Sequence, residues 1–428
     1  MSATQSIVEP QQASANALRL LYICDFPPCN CHGGAILMSR LLEGSAGENF
    51  LVVTSTPGMR LSKKGDLLDC KHIAFPLLGA SRVRWFGRLK HVVNWIILAV
   101  ACCTALASIL WRKVDAVITV LHGRFYFAGA LAAYLTRTPY VVVVHDDFIS
   151  SANTLSNFSA NILRPLAKRV LHRAAHIYAV RPEMTKFLAN EFGVDSELQL
   201  PATTKLLRRE GSGCASVIEA PVIVFAGGVT FAVRDSLDLV AKLITGGAAA
   251  EYCMPGLKLL LFSELSVDEA KEYAWDHANI EIKGWVAQSE LLDALSQADI
   301  LLLPYSFSEN ARHAVETAFP SKTADYLAAR KPILILAPSS STLVRYAREE
   351  GFADIVDEFS TDALARTIHQ IVFSPEHRAR LVDRAQQVFC RNHDIANQRS
   401  KFFATLWQLA SPRHQIRQAD IPVNTPEI

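Results

Sequence analysis

The chain has 428 residues, half of them apolar and one fifth charged, with a formal net charge of +2. That length exceeds one ordinary core and points to two domains plus extensions, while the composition excludes wholesale disorder. The balanced charge gives no reason to expect a nucleic-acid partner.

Residues 1–17 lack a basic flank ahead of an apolar core, so they read as a loose tail and no secretion signal is expected. Nine cysteines, two of them adjacent at Cys102 and Cys103, fit reduced, mostly buried thiols in a cytosolic protein. Strands are expected at 18–24, 50–54 and 70–75, with a glycine loop and a helix over 35–42 between the first two. The run 92–110 is uncharged throughout. As a helix it would be about 28 Å long, close to the roughly 30 Å of a bilayer core. Arg82, Arg84, Trp85, Arg88 and Lys90 precede it, and Trp111, Arg112 and Lys113 follow. Three readings stand: a membrane span, a buried crossover helix, or a helix on a membrane surface with peripheral contact through 82–113. Strands expected on both sides in one sheet argue against the span.

The alternation continues with a strand at 115–120, a helix over 126–135 and a strand at 140–144. Strands at 177–180 and 198–200 follow, with a helix over 182–190 opened by Pro182. Residues 208–220 cluster Gly, Ser and charge, and mark a linker. Beyond it, strands are expected at 222–226, 257–262, 280–282, 300–303 and 333–336. Helices fall at 233–244, 267–276, 289–297, 321–329, 341–350 and 361–371. Two further helices occupy 376–409. The expected organisation is therefore an N-terminal domain over 18–207, the linker 208–220 and a second domain over 221–375. C-terminal helices and a tail over 376–428 would pack back on the first domain. Two α/β units in tandem suit a ligand cleft.

Candidate site residues lie at strand ends, where open α/β sheets gather functional groups. Gly33 and Gly34 open the first helix and either hold an anion or make a tight turn. The pattern G-x-G-x-x-G is absent, which disfavours NAD or FAD. Cys24, Cys29, Cys31 and His32 fall close together, yet lack the second pair of a structural zinc site, so no metal is expected. His122 follows one apolar strand. His145 ends the run VVVVH before Asp146 and Asp147, a polar pair that is either functional or a plain helix cap. In the second domain Gly227 and Gly228 lead to Arg234, and Ser321 and Lys322 start the helix at 321–329; two cations there would suit a diphosphate. Asp325 could accept hydrogen bonds from sugar hydroxyls or simply favour a first helical turn. Glu316 lies near the same helix mouth, and Gly284, Trp285 and Val286 follow the strand at 280–282.

The segment FPSKTADYLAARKPILI at 319–335, with Gly33-Gly34, His145-Asp146, 225–234 and 283–286, resembles the retaining, nucleotide-sugar-dependent glycosyltransferases of the GT-B fold. That family is typified by sucrose synthase and bacterial mannosyltransferases, and the resemblance covers 18–371. It implies an α/β architecture of two Rossmann-like domains facing across a cleft, with the acceptor on the first and the donor on the second. It places Gly34 near the donor phosphates, His145 near the transferred sugar, and Arg234 at the diphosphate. Val286 would meet the base, Ser321 and Lys322 the phosphates, and Asp325 the ribose. The family's sugar-contacting glutamate falls on Thr317, with Glu316 beside it. The implied reaction is metal-independent transfer from a UDP- or GDP-linked sugar, with no cofactor, to a glycan or lipid-linked acceptor. Surface polysaccharide or glycoconjugate synthesis in the cytoplasm, at the inner face of the membrane, would fit. The alternatives are a non-catalytic partner subunit of the same fold or a sugar-nucleotide epimerase.

Overall fold

A computed structural model describes residues 18–29, 33–44, 47–61, 67–77, 86–145, 157–204, 218, 220–287 and 290–419. The expectations for the N-terminal tail, most of the linker, and Cys31, His32, Arg82, Arg84, Trp85, Asp146 and Asp147 lie outside them. Described residues up to Leu198, with those from Asn397 onward, form one unit; Gln199–Ala396 form the other.

The first unit is built on seven parallel strands: β1 Leu20–Ile23, β2 Gly47–Ser55, β3 Cys70–Phe75, β4 Ala116–Val120, β5 Tyr140–Val144, β6 His176–Ala179 and β7 Glu197–Leu198. Their spatial order is β3-β2-β1-β4-β5-β6-β7. The central strands LLYI, AVITV and YVVVV are buried at every position, as a parallel sheet covered by helices on both faces requires. The long apolar helix is Phe86–Arg112, the crossover from β3 to β4. Both strands belong to one sheet, which removes the membrane-span reading. Its residues Leu98, Ala101, Ala105 and Ile109 enter the core with Leu21 and Ile23. Two helices of this unit went unforeseen, the short Thr56–Leu61 and the longer Asn157–Arg173, which carries Pro165 inside it. A proline there removes one ladder hydrogen bond and reads in sequence as a break.

The second unit holds six parallel strands: β8 Val222–Ala226, β9 Lys258–Phe262, β10 Ile280–Ile282, β11 Ile300–Pro304, β12 Ile333–Leu336 and β13 Asp354–Val356. Their order is β10-β9-β8-β11-β12-β13. Helix Arg234–Thr245 turns Leu237, Val240, Leu243 and Ile244 into the core at helical spacing. Helices Thr342–Glu350 and Thr361–Phe373 start where Ser341 Oγ accepts from the N–H of Leu343 and Ser360 Oγ from that of Ala363. His393, on a π-helical turn, is fully buried. Its Nδ1 bonds the carbonyl of Pro201 at 2.6 Å and its Nε2 the hydroxyl of Tyr346 at 2.9 Å.

Both sheets run 3-2-1-4-5-6 in strand order, so each reverses direction beside its first strand. The crevice outside the carboxyl ends at that reversal is where open α/β sheets take ligands. It lies between β1 and β4 in the first unit and between β8 and β11 in the second.

The cysteine expectation needs two corrections. Cys29 is disulfide-bonded, and among the remaining described cysteines Cys103, Cys253 and Cys390 are exposed thiols, not buried ones.

Candidate functional site

In the second unit the chain leaves β8 through Gly227, whose φ of +150° suits glycine alone. The site opposite a missing Cβ is filled by Lys322, whose Nζ would overlap any side chain there. The ammonium also lies 4.2 Å from the centre of the Phe225 ring. Apolar surroundings and lost hydration push the Lys322 pKa down from 10.5 to about 8. Tyr326, one turn further along helix Lys322–Ala328, accepts at its hydroxyl oxygen from the Ala226 N–H at 2.9 Å. Lys322 and Tyr326 thus clamp their helix to the end of β8. Gly227 and Lys322 lie against each other, while Gly228 does not touch the lysine.

The loop from Gly227 to helix Arg234–Thr245 is tied to the loop after β11. Ser306 N–H donates to the Ala232 carbonyl at 2.7 Å, and Ser236 Oγ donates to the Tyr305 carbonyl at 2.6 Å. Asp235 Oδ2 accepts from the N–H groups of Phe307 and Ser308 at 2.8 and 3.2 Å. Asp235 and Ser236 carry no signal in the sequence reading; their position in the first turn of a helix is the one cue that could have found them. Gly228 has open space beside it, with only a Thr230 methyl at 3.8 Å.

Arg234 is held to the side of this crevice. Its guanidinium stacks 3.6 Å over the Tyr273 ring and pairs with Asp238 at 3.7 Å. Asp238 accepts in turn from Trp275 Nε1 at 2.9 Å, and burial raises its pKa. Ser321 caps helix Lys322–Ala328 with no side-chain hydrogen bond to it, and Asp325 is 7 % exposed on that helix. Glu316 bonds Arg312 Nε at 2.9 Å along helix Arg312–Thr317, while Thr317 Oγ1 turns back to the His313 carbonyl at 2.7 Å. Val286 is partly buried against the core after β10, past Gly284 with φ +77°.

In the first unit a Cβ on Gly34 would lie 3.1–3.3 Å from three ring atoms of His145. The glycine therefore makes room for the imidazole at the end of β5. Gly33 opens helix Gly33–Leu42 just before it. At the reversal between β1 and β4, Asp25 is 8 % exposed. Its Oδ2 accepts from the N–H groups of Arg124 at 2.6 Å and Phe125 at 3.0 Å, capping helix Phe125–Leu135 from another strand. Gly123, at φ +65°, leaves no space for a side chain beside that carboxylate. Burial raises the Asp25 pKa against the pull of those two donors and the nearby His122 and Arg124. No role for Asp25 is legible in the sequence, since its partners lie about a hundred residues along the chain. The His122 ring lies 5.1 Å from that of Phe26 beside it, tilted by 56°.

Comparison with known proteins fits this geometry. Residues 46–201 match the glycosyl transferase 4-like domain. A search of curated proteins gave no match. Among solved structures, HepE of Anabaena, in complex with UDP and glucose, aligns at TM-score 0.58 and 14 % identity over 91 % of this chain and 99 % of its own. Sucrose-phosphate synthase of Thermosynechococcus elongatus aligns at 0.56 and 14 %, over 94 % and 100 %. A trehalose 6-phosphate synthase of Burkholderia multivorans aligns at 0.58 and 10 %, over 94 % and 98 %. The chain has the GT-B fold. The residues that match the glycosyl transferase 4-like domain lie almost wholly in the first unit.

Proposed function

We propose that this protein transfers a sugar from a nucleoside-diphosphate sugar to an acceptor hydroxyl with retention. The observation that carries the reading is Lys322, a desolvated cation lodged against Gly227 at the strand reversal of the second unit. Such a cation, beside a side-chain-free backbone, suits a diphosphate, and it acts most strongly on the negative charge that grows as the donor's C1–O bond breaks. The acceptor oxygen attacks C1 on the face from which the diphosphate leaves. The acceptor proton passes to a diphosphate oxygen, so the leaving group serves as base.

In this reading Ser321 lies by the phosphates, Asp325 by the ribose, the Val286 backbone by the base, and His145 by the transferred sugar. Gly33 and Gly34 give the first unit's backbone close approach. Arg234 joins the diphosphate by exchanging Asp238 for a phosphate oxygen, which an exposed ion pair permits for under about 1 kcal/mol. Charge stabilisation by these cations supports a reaction without a divalent metal. UDP is the first base to test, because HepE is the neighbour with a bound nucleotide. A GDP-linked donor, and a glycan or lipid-linked acceptor, complete the proposal.

A second reading has one observation in its favour. Thr317 occupies the position of the family's sugar-contacting glutamate, and the adjacent Glu316 is engaged by Arg312. A partner subunit that binds nucleotide without turnover would tolerate that. Calorimetry with UDP and GDP, followed by sugar-release and transfer assays over a panel of UDP- and GDP-sugars, decides between them. Binding with transfer supports the enzyme, binding without turnover supports the partner, and no binding of either nucleotide refutes both.

A further inference from the structure

Helix Phe86–Arg112 has two apolar faces. Leu98, Ala101, Ala105 and Ile109 face the core, while Val92, Ile96, Val100, Leu110 and Trp111 face solvent at a second helical spacing. Ile96 is 58 % exposed, Leu110 64 % and Trp111 86 %. An ordinary surface helix presents polar residues there, as Thr342–Glu350 does with Arg348 and Glu349. The neighbouring helix Phe125–Leu135 adds exposed Leu131, Tyr134 and Leu135. Helix Asn157–Arg173 packs beside that one in turn.

Charge sets this surface apart as much as apolarity. None of the three helices contains an Asp or a Glu. Exposed Lys113, Arg137, Lys168, Arg169 and Arg173 border the apolar stripe. Arg173 lies 4.3 Å over the Tyr134 ring, which joins the basic and aromatic parts. Arg164 is engaged by Glu191 and adds little. A protein partner with an apolar patch would explain the stripe but not the absence of any acidic residue from the three helices that form the surface. Neighbouring elements bring Glu48 beside Trp111 and Glu191 to Arg164, but an apolar, aromatic stripe on helices whose own charges are all basic matches the headgroup region of an anionic bilayer, where Trp and Tyr sit at the interface and basic side chains meet phosphates.

We propose that this three-helix surface of the first unit docks on an anionic lipid bilayer, with helix Phe86–Arg112 lying in the interface. The proposal stands apart from the sugar chemistry, because it uses none of the residues assigned above. The test is flotation of the purified full chain with phosphatidylcholine vesicles made with and without phosphatidylglycerol. The chain should float with the anionic vesicles at low salt, lose that binding as salt rises, and stay behind with the neutral ones. The double variant Ile96→Glu, Trp111→Glu removes apolar contact at exposed positions. The variant Lys168→Glu, Arg169→Glu reverses charge on another helix, so that loss of fold in one leaves the other decisive. Each should weaken anionic-vesicle binding by about tenfold or more. Failure of the wild type to float, or equal flotation of both folded variants, overturns the proposal. So does concentration-dependent dimerisation in vesicle-free buffer that the first variant abolishes, since the stripe would then belong to a second copy.

Discussion

Replacing Lys322 with Met should make the protein more stable and worse at binding. The ammonium sits over Phe225 and against Gly227, where its pKa falls from 10.5 to about 8. A drop of that size corresponds to about 3 kcal/mol for holding the charge at neutral pH. The side chain keeps partial solvent contact, so about 1–2 kcal/mol is the share expected to appear as stability. Methionine is unbranched and one atom shorter, removes the charge and fills the slot beside Phe225 with a polarizable thioether. The gain should appear as a Tm higher by a few degrees at pH 7. The sign with pH follows from linkage. Below pH 8 both folded and unfolded chains hold the proton and the penalty is complete. Between 8 and 10.5 the unfolded chain holds more proton, so wild-type stability rises with pH relative to the variant and the two converge. Calorimetric affinity for UDP or GDP should fall by about tenfold or more, the worth of a charged hydrogen bond. A variant that is less stable at pH 7 and binds nucleotide as before would refute the placement of Lys322 as a desolvated phosphate ligand.

Three other positions give independent tests. His393 is buried with its pKa lowered from 6.5 to about 4, so the second unit should hold full stability above pH 6.5 and lose about 3 kcal/mol as pH falls through 4. Denaturant midpoints over that range should be flatter in His393→Phe, which starts less stable because Pro201 O and Tyr346 OH lose a partner. Gly34→Ala puts a methyl 3.1 Å from the His145 ring; sugar transfer should drop while the melting curve shifts by under about 1 kcal/mol, and unchanged transfer would detach that ring from the chemistry. Asp25→Ala should cost about 2 kcal/mol by leaving the N–H groups of Arg124 and Phe125 without their acceptor, and Asp25→Asn, which keeps an oxygen there, should cost less in the same denaturation assay.

Much of the fold was legible because its strands are buried on both faces. VIVFA, KLLLF, ILLLP and ILIL are continuous apolar runs between turn signals, and each proved a strand. The edge strand β13, Asp354–Val356, opens on a charged residue and left no such trace, whereas β7 at Glu197–Leu198 overlaps the strand expected at 198–200. Helix Asn157–Arg173 was masked by Pro165, and helix Arg312–Thr317 by its position in a polar loop.

The site was legible to the extent that its residues stand at strand ends, a property of position along the chain. Its pairings were not, because they depend on side-chain direction across the sheet. Two cations at matching strand-to-helix junctions look equivalent in sequence, yet one turns into the glycine backbone and the other along its own helix to Asp238. The difference follows from what surrounds each. Lys322 enters an apolar slot made by Phe225 and a glycine, with no acid to draw it away. Arg234 has a carboxylate one turn on and an aromatic face beside it, and a planar guanidinium can satisfy both at once. Asp238 one turn on gives Arg234 a resting partner, and on the proposed reading a diphosphate must compete with it. Among the described residues Lys322 has no such ion-pair partner, so on the proposed reading its charge would meet a diphosphate without first giving one up.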